Sequence, residues 1–149
     1  MSRCQITLSV NAGVALHLGQ HRVWSDALHD RRVVGFSTVT PQLWSILQAH
    51  PDFARPEILF YTHCHPDHYS RALTEQVVAR NPAAILVLPE QEFDSQVRLA
   101  GPGSHLTIGD LRMDFFQLTH EGPQYREVPH YGCILESGGF RGLIARDCA

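Results

Sequence analysis

The stretch from Thr62 to His68 constrains this chain more than any other. It reads Thr-His-Cys-His-Pro-Asp-His, which places four candidate metal ligands within six positions: His63, His65, Asp67 and His68. The apolar run 58–61 before it predicts a buried strand, and apolar residues at helical spacing follow it. The four side chains are therefore expected on a loop that leaves a strand and enters a helix.

Alternation along an extended segment predicts that His63 and His65 point the same way and that Cys64 faces away from them. Pro66 bends the chain, so Asp67 and His68 can turn toward a neighbouring point. Imidazole and carboxylate ligands suit zinc, with iron or manganese as alternatives. A lone histidine usually has no metal role, but this density argues against a plain surface loop and favours two adjacent metals.

The run His63-x-His65-x-Asp67-His68 resembles the HxHxDH signature of the metallo-β-lactamase fold hydrolases. The resemblance implies an α/β protein, an αββα sandwich of two sheets covered by helices, and it extends from the first hairpin to Asp147. An internal echo agrees with the duplicated halves of that fold, because one hairpin ends at Asp26 and the last one ends at Asp147. Residues 1–149 are expected to form one such domain, shortened at the C-terminus.

The same resemblance implies the roles of the candidate ligands. His63, His65 and His120 match the ligands of a first metal, and Asp67 and His68 match ligands of a second. Asp147 matches the carboxylate that bridges both ions, and Asp67 and Asp147 are the candidate catalytic carboxylates. Asp26 resembles a carboxylate that orients a ligand imidazole, although an aspartate that only ends a strand is an equally good interpretation.

Two departures from the family pattern concern the end of the chain. The family usually has glycine before the bridging aspartate, where this chain has Arg146. Hydrolases of this fold also carry one further histidine downstream, whereas this chain ends two residues after Asp147. His130 is the candidate to replace that ligand or to contact substrate. We therefore expect one tightly held metal and one loosely held metal.

The resemblance implies a hydrolase in which a metal-bound hydroxide attacks an ester, lactone, thioester or phosphoester, with one or two zinc ions as cofactor. β-Lactam hydrolysis is not expected, because two-metal β-lactamases typically have cysteine at the position of Asp147 and lack histidine at that of His68. Two alternatives stay open. The chain could be a non-catalytic metal-binding module, or a fragment of a longer hydrolase.

Composition narrows the partners of the chain. Its 149 residues are 44% hydrophobic and 18% charged, which favours a globular domain over disorder. A net charge of −3 without a basic block gives no indication of nucleic-acid binding. The sequence lacks a membrane-length apolar run and a signal peptide, so a cytoplasmic location is expected. The expected partner is a small-molecule substrate, and self-association is expected from a shortened sheet.

The four cysteines, Cys4, Cys64, Cys133 and Cys148, form no CxxC pair and are expected to be reduced thiols. Packing roles are predicted for Cys64 and Cys148. His17 and His21, on either side of a turn, are expected to face solvent.

Periodicity and turn residues predict the remaining elements. The segment 30–39 is predicted to be a loop, in which residues 33–36 are apolar enough to line a site. Helices are predicted from Thr40-Pro41 to His50, over 71–80 and, as a short one, over 89–99. Strands are predicted at 6–10, 14–18, 22–25, 58–61, 84–88, 106–108, 111–118, 131–136 and 140–145.

Overall fold

Two β-sheets pack face to face in the computed structural model, which describes residues 3–149. The first sheet contains, in spatial order, β1 (Cys4–Leu8), β2 (Val14–Leu18), β3 (His21–Ser25), β4 (Ile58–Phe60), β5 (Ile85–Leu88) and β6 (Val97–Arg98). The second contains β7 (His105–Ile108), β8 (Leu111–Gln117), β9 (Tyr131–Ser137) and β10 (Phe140–Ile144), with β10 at one edge. The helices are α1 (Pro41–Ala49) and α2 (Arg71–Arg80), and single 3-10 turns lie at Pro51–Phe53 and Pro123–Tyr125.

The pairing of strands in the first sheet changes from antiparallel to parallel at β3. Strands β1 to β3 form an antiparallel meander, whereas β3, β4, β5 and β6 run parallel to one another. The second sheet is antiparallel throughout. Because parallel strands end at the same edge of a sheet, β3 and β4 deliver the residues that follow them to one place.

The central strands of the first sheet, β2 to β5, are buried on both faces. One face packs against the second sheet, where Phe60 meets Phe115 with ring centroids 5.2 Å apart. The other face packs against both helices, and Leu59 lies in the same cluster as Leu47 of α1 and Leu73 of α2. This double burial explains why β4 and β5 are continuous apolar runs without polar alternation.

Both helices begin where the sequence predicts. The side chain of Thr40 accepts a hydrogen bond from the backbone N–H of Leu43, with Pro41 at the first helical position. Ser70 accepts the equivalent bond from Leu73 at the start of α2. The expected α/β class and two-sheet sandwich are confirmed. In residues 3–149, both helices pack on the first sheet.

The helix predicted over 89–99 is wrong. Its second half forms the short strand β6, and the residues before β6 form a turn closed by a side chain. The amide oxygen of Gln96 accepts from the backbone N–H groups of Glu92 and Phe93, and its nitrogen donates to the carbonyl of Glu90. These bonds satisfy backbone groups that a helix would otherwise pair.

Three further expectations are corrected. His21 is buried rather than solvent-facing, and the half-buried ring of His17 contacts the carbonyl of Asp52 at 3.0 Å. Cys148 is exposed rather than packed. Cys64, by contrast, packs against the helical side of the first sheet as predicted.

His21 joins the two sheets at the end opposite the histidine loop. Its Nδ1 lies 2.7 Å from Glu57 Oε2, and its Nε2 lies 2.8 Å from Asp110 Oδ1 in the β7–β8 turn. Two carboxylate partners require a proton on both ring nitrogens. Burial alone would lower the pKa of His21, but the bonds to Glu57 and Asp110 outweigh it and raise the pKa above its usual 6.5.

We predict a pH-dependent loss of stability from this bridge. A raised pKa in the folded state stabilises fully below about pH 6.5, and the contribution disappears as pH rises through the folded value. In urea unfolding, His21→Gln should therefore cost more free energy near about pH 6 than near about pH 9. His105→Gln, at an exposed histidine, is the control. A His21→Gln effect of equal size at both pH values would contradict the bridge.

Candidate metal centre

Four strand ends bring the predicted site residues together. Asp26 follows β3 and His63 follows β4 in the first sheet, while His120 follows β8 and Asp147 follows β10 in the second. Backbone bonds hold these ends in register. The N–H of Tyr131 donates to the carbonyl of Thr62 across the two sheets, and the N–H of Glu121 donates to the carbonyl of Asp147.

The metal loop 62–70 is a tight turn between β4 and α2. The N–H groups of His68 and Tyr69 both donate to the carbonyl of His65, which closes the turn around Pro66. The N–H of Ser70 donates to the carbonyl of Leu28, so the loop is also tied to the segment after β3. The bend that Pro66 predicts is confirmed, and it carries Asp67 and His68 toward the other ligands.

Asp26 and Asp147 occupy matching backbone conformations. Their φ angles are 47° and 46°, in the left-handed region that non-glycine residues seldom adopt but that aspartate tolerates. Each residue follows a hairpin, so the internal echo in the sequence corresponds to a repeated local structure. The turn redirects the chain where it leaves the sheet and aims both carboxylates at the histidines.

The carboxylate of Asp26 is fully buried beneath the histidines. Oδ1 accepts from the N–H of Thr62 at 2.8 Å, and Oδ2 accepts from the Thr62 hydroxyl at 2.7 Å and from Nδ1 of His68 at 3.1 Å. Since the Thr62 hydroxyl gives its proton to Asp26, it accepts from Nδ1–H of His63 at 2.9 Å. Asp26 therefore orients two imidazoles, one directly and one through Thr62, as ligand imidazoles are commonly oriented in metal sites.

Three histidine rings form a nearly regular triangle. The ring centroids of His63, His65 and His120 are separated by 4.7 Å, 4.8 Å and 4.7 Å. Nδ1 of His120 donates to the carbonyl of Glu121 at 2.7 Å, which leaves its Nε2 with a free lone pair. Nε2 of His63 and Nε2 of His120 are both buried and lack a hydrogen-bond partner among residues 3–149. Ligand atoms of the three residues lie within 4.8 Å of one another.

A second cluster shares His63 and adds His68 and Asp147. Oδ2 of Asp147 lies 2.8 Å from Nε2 of His68, 3.7 Å from Nε2 of His63 and 4.0 Å from Nε2 of His120. Oδ2 of Asp67 lies 3.6 Å from Nε2 of His68. One Asp147 oxygen is thus within reach of both clusters, which is the position that a bridging ligand needs.

The protonation states of the two clusters differ. Burial, reinforced by neighbouring histidines, lowers the pKa of His63 to about 2 and also lowers that of His65. Burial would lower the pKa of His68 as well, but bonds to Asp147 and Asp26 raise it to about 9. The bond from His68 in turn lowers the pKa of Asp147 to about 2. His63 and His65 are therefore neutral and ready to bind metal, whereas His68 must first release a proton.

His130 lies beside the triangle. Its ring centroid is 4.7 Å from that of His63 and 5.2 Å from that of His120. The ring is 2% exposed, and neither of its nitrogens has a hydrogen-bond partner in the described part of the chain. Burial lowers its pKa to about 4, so it is neutral. The residues around His130 in the chain indicate this position only weakly.

Arg146, which replaces the usual glycine, turns toward the buried carboxylate. Its Nε forms an ion pair with Oδ2 of Asp26 at 3.2 Å, without the alignment of a hydrogen bond. A positive charge beside Asp26 offsets the cost of burying that carboxylate. The sequence shows the departure from glycine at Arg146, but it does not identify Asp26 as its partner.

An open cleft of about 800 Å³ lies above the histidines. The predicted loop over 30–39 is confirmed, and its apolar residues Val33 and Phe36 line one side of the cleft. Sequence reasoning missed Arg31, Arg32 and Tyr125, which also line it. No sequence motif marks them, because their contact with the cleft depends on how two distant loops fold.

The chemistry of these groups fits a divalent metal. Buried Nε2 atoms without a partner, as in His63 and His120, are costly unless something binds them. Oδ2 of Asp147 lies within 4.0 Å of both atoms. Three imidazoles match zinc with an open position, and the adjacent His and Asp groups match a second ion. The cysteine between the ligands takes no part. Cys64 packs away from the cluster, and burial raises the pKa of its thiol.

Several solved structures resemble this chain. CmlA, a diiron β-hydroxylase from Streptomyces venezuelae, matches with a TM-score of 0.69 at 15% identity over 99% of this chain. Igni18, a metallo hydrolase from Ignicoccus hospitalis, matches with a TM-score of 0.57 at 15% identity over 95% of this chain. The metallo-β-lactamase fold protein YhfI from Bacillus subtilis matches with a TM-score of 0.56 at 12% identity over 91% of this chain. The chain therefore has the metallo-β-lactamase fold.

The chain spans only part of those structures, namely 30% of CmlA, 60% of Igni18 and 53% of YhfI. Sequence comparisons add no closer relative. No family model matches the chain. No curated protein matches it either. Neither helix of residues 3–149 has the length and apolar character that crossing a membrane requires.

We predict that the Thr62 hydroxyl sets metal affinity. Thr62→Val keeps the shape of the side chain but breaks the link between His63 and Asp26, so zinc affinity should fall about 10- to 100-fold. Chelator competition measures the dissociation constant. Thr74→Val is a matched control, because it removes another buried threonine hydroxyl, bonded to Tyr61 and to the carbonyl of Ser70. Unchanged affinity in Thr62→Val would contradict the orienting role.

Proposed function

We propose that this chain is a metal-dependent hydrolase acting on a small-molecule ester, lactone, thioester or phosphoester. The observation that carries the proposal is the imidazole triangle, in which Nε2 of His63 and Nε2 of His120 lack partners among residues 3–149, beside a carboxylate that reaches two candidate ligand clusters. A bound divalent ion would supply Lewis acidity and lower the pKa of a coordinated water toward about 7. Zinc suits these ligands best, with iron or manganese as alternatives.

In this proposal, His63, His65 and His120 hold the first ion, and His65 and His120 line the cleft. Asp67 and His68 hold a second ion, and Asp147 contributes to both. The carboxylates of Asp67 and Asp147 would orient the attacking water by accepting hydrogen bonds from it, and the water would release its proton as it attacks. The side chain of Asp147 is partly open to solvent, so that proton can leave toward the cleft.

His130 supports a second site of limited strength. It presents a neutral imidazole with two free nitrogens, but it is absent from both close ligand clusters in residues 3–149. The His130 ring would have to move before it could bind an ion at the second site. Metal binding at that site also requires His68 to lose a proton. Both requirements favour a first site that binds tightly and a second that binds loosely.

Paired substitutions in the metal loop test the proposal. His65→Ala removes one corner of the triangle, so zinc content and hydrolysis should fall together by about ten-fold or more. Cys64→Ser, at the neighbouring residue, should leave both largely intact because the thiol packs away from the ligands. Elemental analysis gives metal content, and 4-nitrophenyl acetate and bis(4-nitrophenyl) phosphate report turnover.

Two outcomes would contradict the proposal. If the wild-type protein stays metal-free when zinc is offered, the proposed metal centre is contradicted. Zinc bound through the triangle, with turnover of neither substrate class, would favour a non-catalytic metal-binding module instead.

A further inference from the structure

The cleft above the histidines carries two guanidinium groups without partners. Arg31 and Arg32 are exposed and line the same cleft as His65, Asp67 and Asp147. Within residues 3–149, neither arginine forms a side-chain hydrogen bond or an ion pair with another residue. Four other arginines (Arg71, Arg112, Arg141 and Arg146) pair with carboxylates, whereas these two are open to the cleft.

The loop that carries both arginines is anchored at its base. His29 is 1% exposed, and its Nε2 donates to the carbonyl of Ser37 at 2.9 Å. The N–H of Val39 donates to the carbonyl of His29, which closes the loop at the same point. Hydrogen bonds therefore hold both ends of the segment 30–36 together.

Asn11 joins this loop to the metal loop. Its backbone N–H donates to the hydroxyl of Ser37 at 2.8 Å, and its side-chain amide donates to the carbonyl of Asp67 at 3.0 Å. The position of Arg31 and Arg32 relative to the metal ligands is thus fixed by hydrogen bonds on both sides of Asn11.

The charges that line the cleft favour an anion once metal is bound. The carboxylates of Asp67, Glu121 and Asp147 outnumber the two guanidiniums by one. A single divalent ion reverses that balance, and a second ion makes it more positive. Guanidinium groups bind carboxylate and phosphoryl oxygens through paired hydrogen bonds, which an ammonium group cannot arrange in the same way.

Two aromatic rings give the cleft an apolar side. Phe36 is 49% exposed and Tyr125 is 40% exposed, and both line the cleft. The ring of Tyr125 lies 5.0 Å from those of His65 and His120, directly against the triangle. Exposed aromatic side chains beside free guanidiniums suit a substrate with both an anionic group and an apolar group.

We propose that Arg31 and Arg32 bind an oxyanion of the substrate, a carboxylate or a phosphoryl group, while Phe36 and Tyr125 contact its apolar part. This inference rests on the proposed hydrolase function and names its substrate class as anionic. Neutral esters would then be poor substrates, because they leave the two arginines without a partner.

Calorimetry with non-hydrolysable probes tests the inference. Phenylphosphonate and phenylacetate carry the two candidate oxyanions on an aromatic ring, and benzamide is the neutral probe. Arg31→Gln/Arg32→Gln should weaken binding of the preferred anion about ten-fold or more and leave benzamide unchanged. Arg112→Gln/Arg141→Gln, at exposed residues of the second sheet, is the charge-matched control and should bind like the wild type.

Each titration is run with zinc-loaded and with metal-free protein. The loss caused by the arginine double variant should appear in both states, so it does not depend on the metal. Equal affinity of wild type and double variant would overturn the inference, as would an absence of anion binding in both states. A protein that binds no zinc but shows the arginine effect would contradict the hydrolase proposal and keep the anion site. The tighter anionic probe identifies the oxyanion as phosphoryl or carboxylate.

Discussion

The buried carboxylate of Asp26 is the constraint on which the rest of the site depends. Taking a carboxylate out of water is expensive, and removing one partner of a buried ion pair costs about 3–5 kcal/mol. Asp26 meets that cost with bonds from Thr62 and His68 and an ion pair with Arg146. These partners come from the metal loop and from the end of the last hairpin. Satisfying one charge therefore fixes the relative positions of both halves of the site.

The fold makes this convergence possible. Parallel β3 and β4 end at the same edge, so the residue after β3 lies beside the loop after β4. The second sheet delivers His120 and Asp147 to the same region through the bond between Glu121 and Asp147. The similar φ angles of Asp26 and Asp147 show that the same turn is used twice. In the first sheet, the turn places Asp26 beneath the candidate ligands. In the second sheet, it places Asp147 among them.

Much of this arrangement could be predicted from the sequence because it depends on local patterns. Alternation in the metal loop gave the opposite orientations of His63 and Cys64, and the Ser/Thr caps gave the helix starts. The family resemblance, together with two hairpins that each end in aspartate, also indicates Asp26 and Asp147. Each of these inferences uses a few neighbouring residues, whose backbone conformation fixes where the side chains point.

Most of the features that the sequence does not predict depend on contacts between residues that are far apart in the chain. The two carboxylates that hold His21, Glu57 and Asp110, lie 36 and 89 residues away, so no local pattern could predict its burial. The helix predicted over 89–99 fails because the side chain of Gln96 pairs backbone groups that a helix would otherwise use. The partner of Arg146 and the arginines of the cleft likewise depend on contacts between distant loops.

The central claim is that the histidine triangle and Asp147 form a metal centre. Anomalous X-ray diffraction at the zinc edge, from crystals grown at limiting and at excess zinc, tests it most directly. The account predicts one strong peak among the Nε2 atoms of His63, His65 and His120 at limiting zinc. A weaker second peak beside His68 and Asp147 should grow with zinc concentration. Zinc bound away from these residues, or absent from the triangle at excess zinc, would contradict the account.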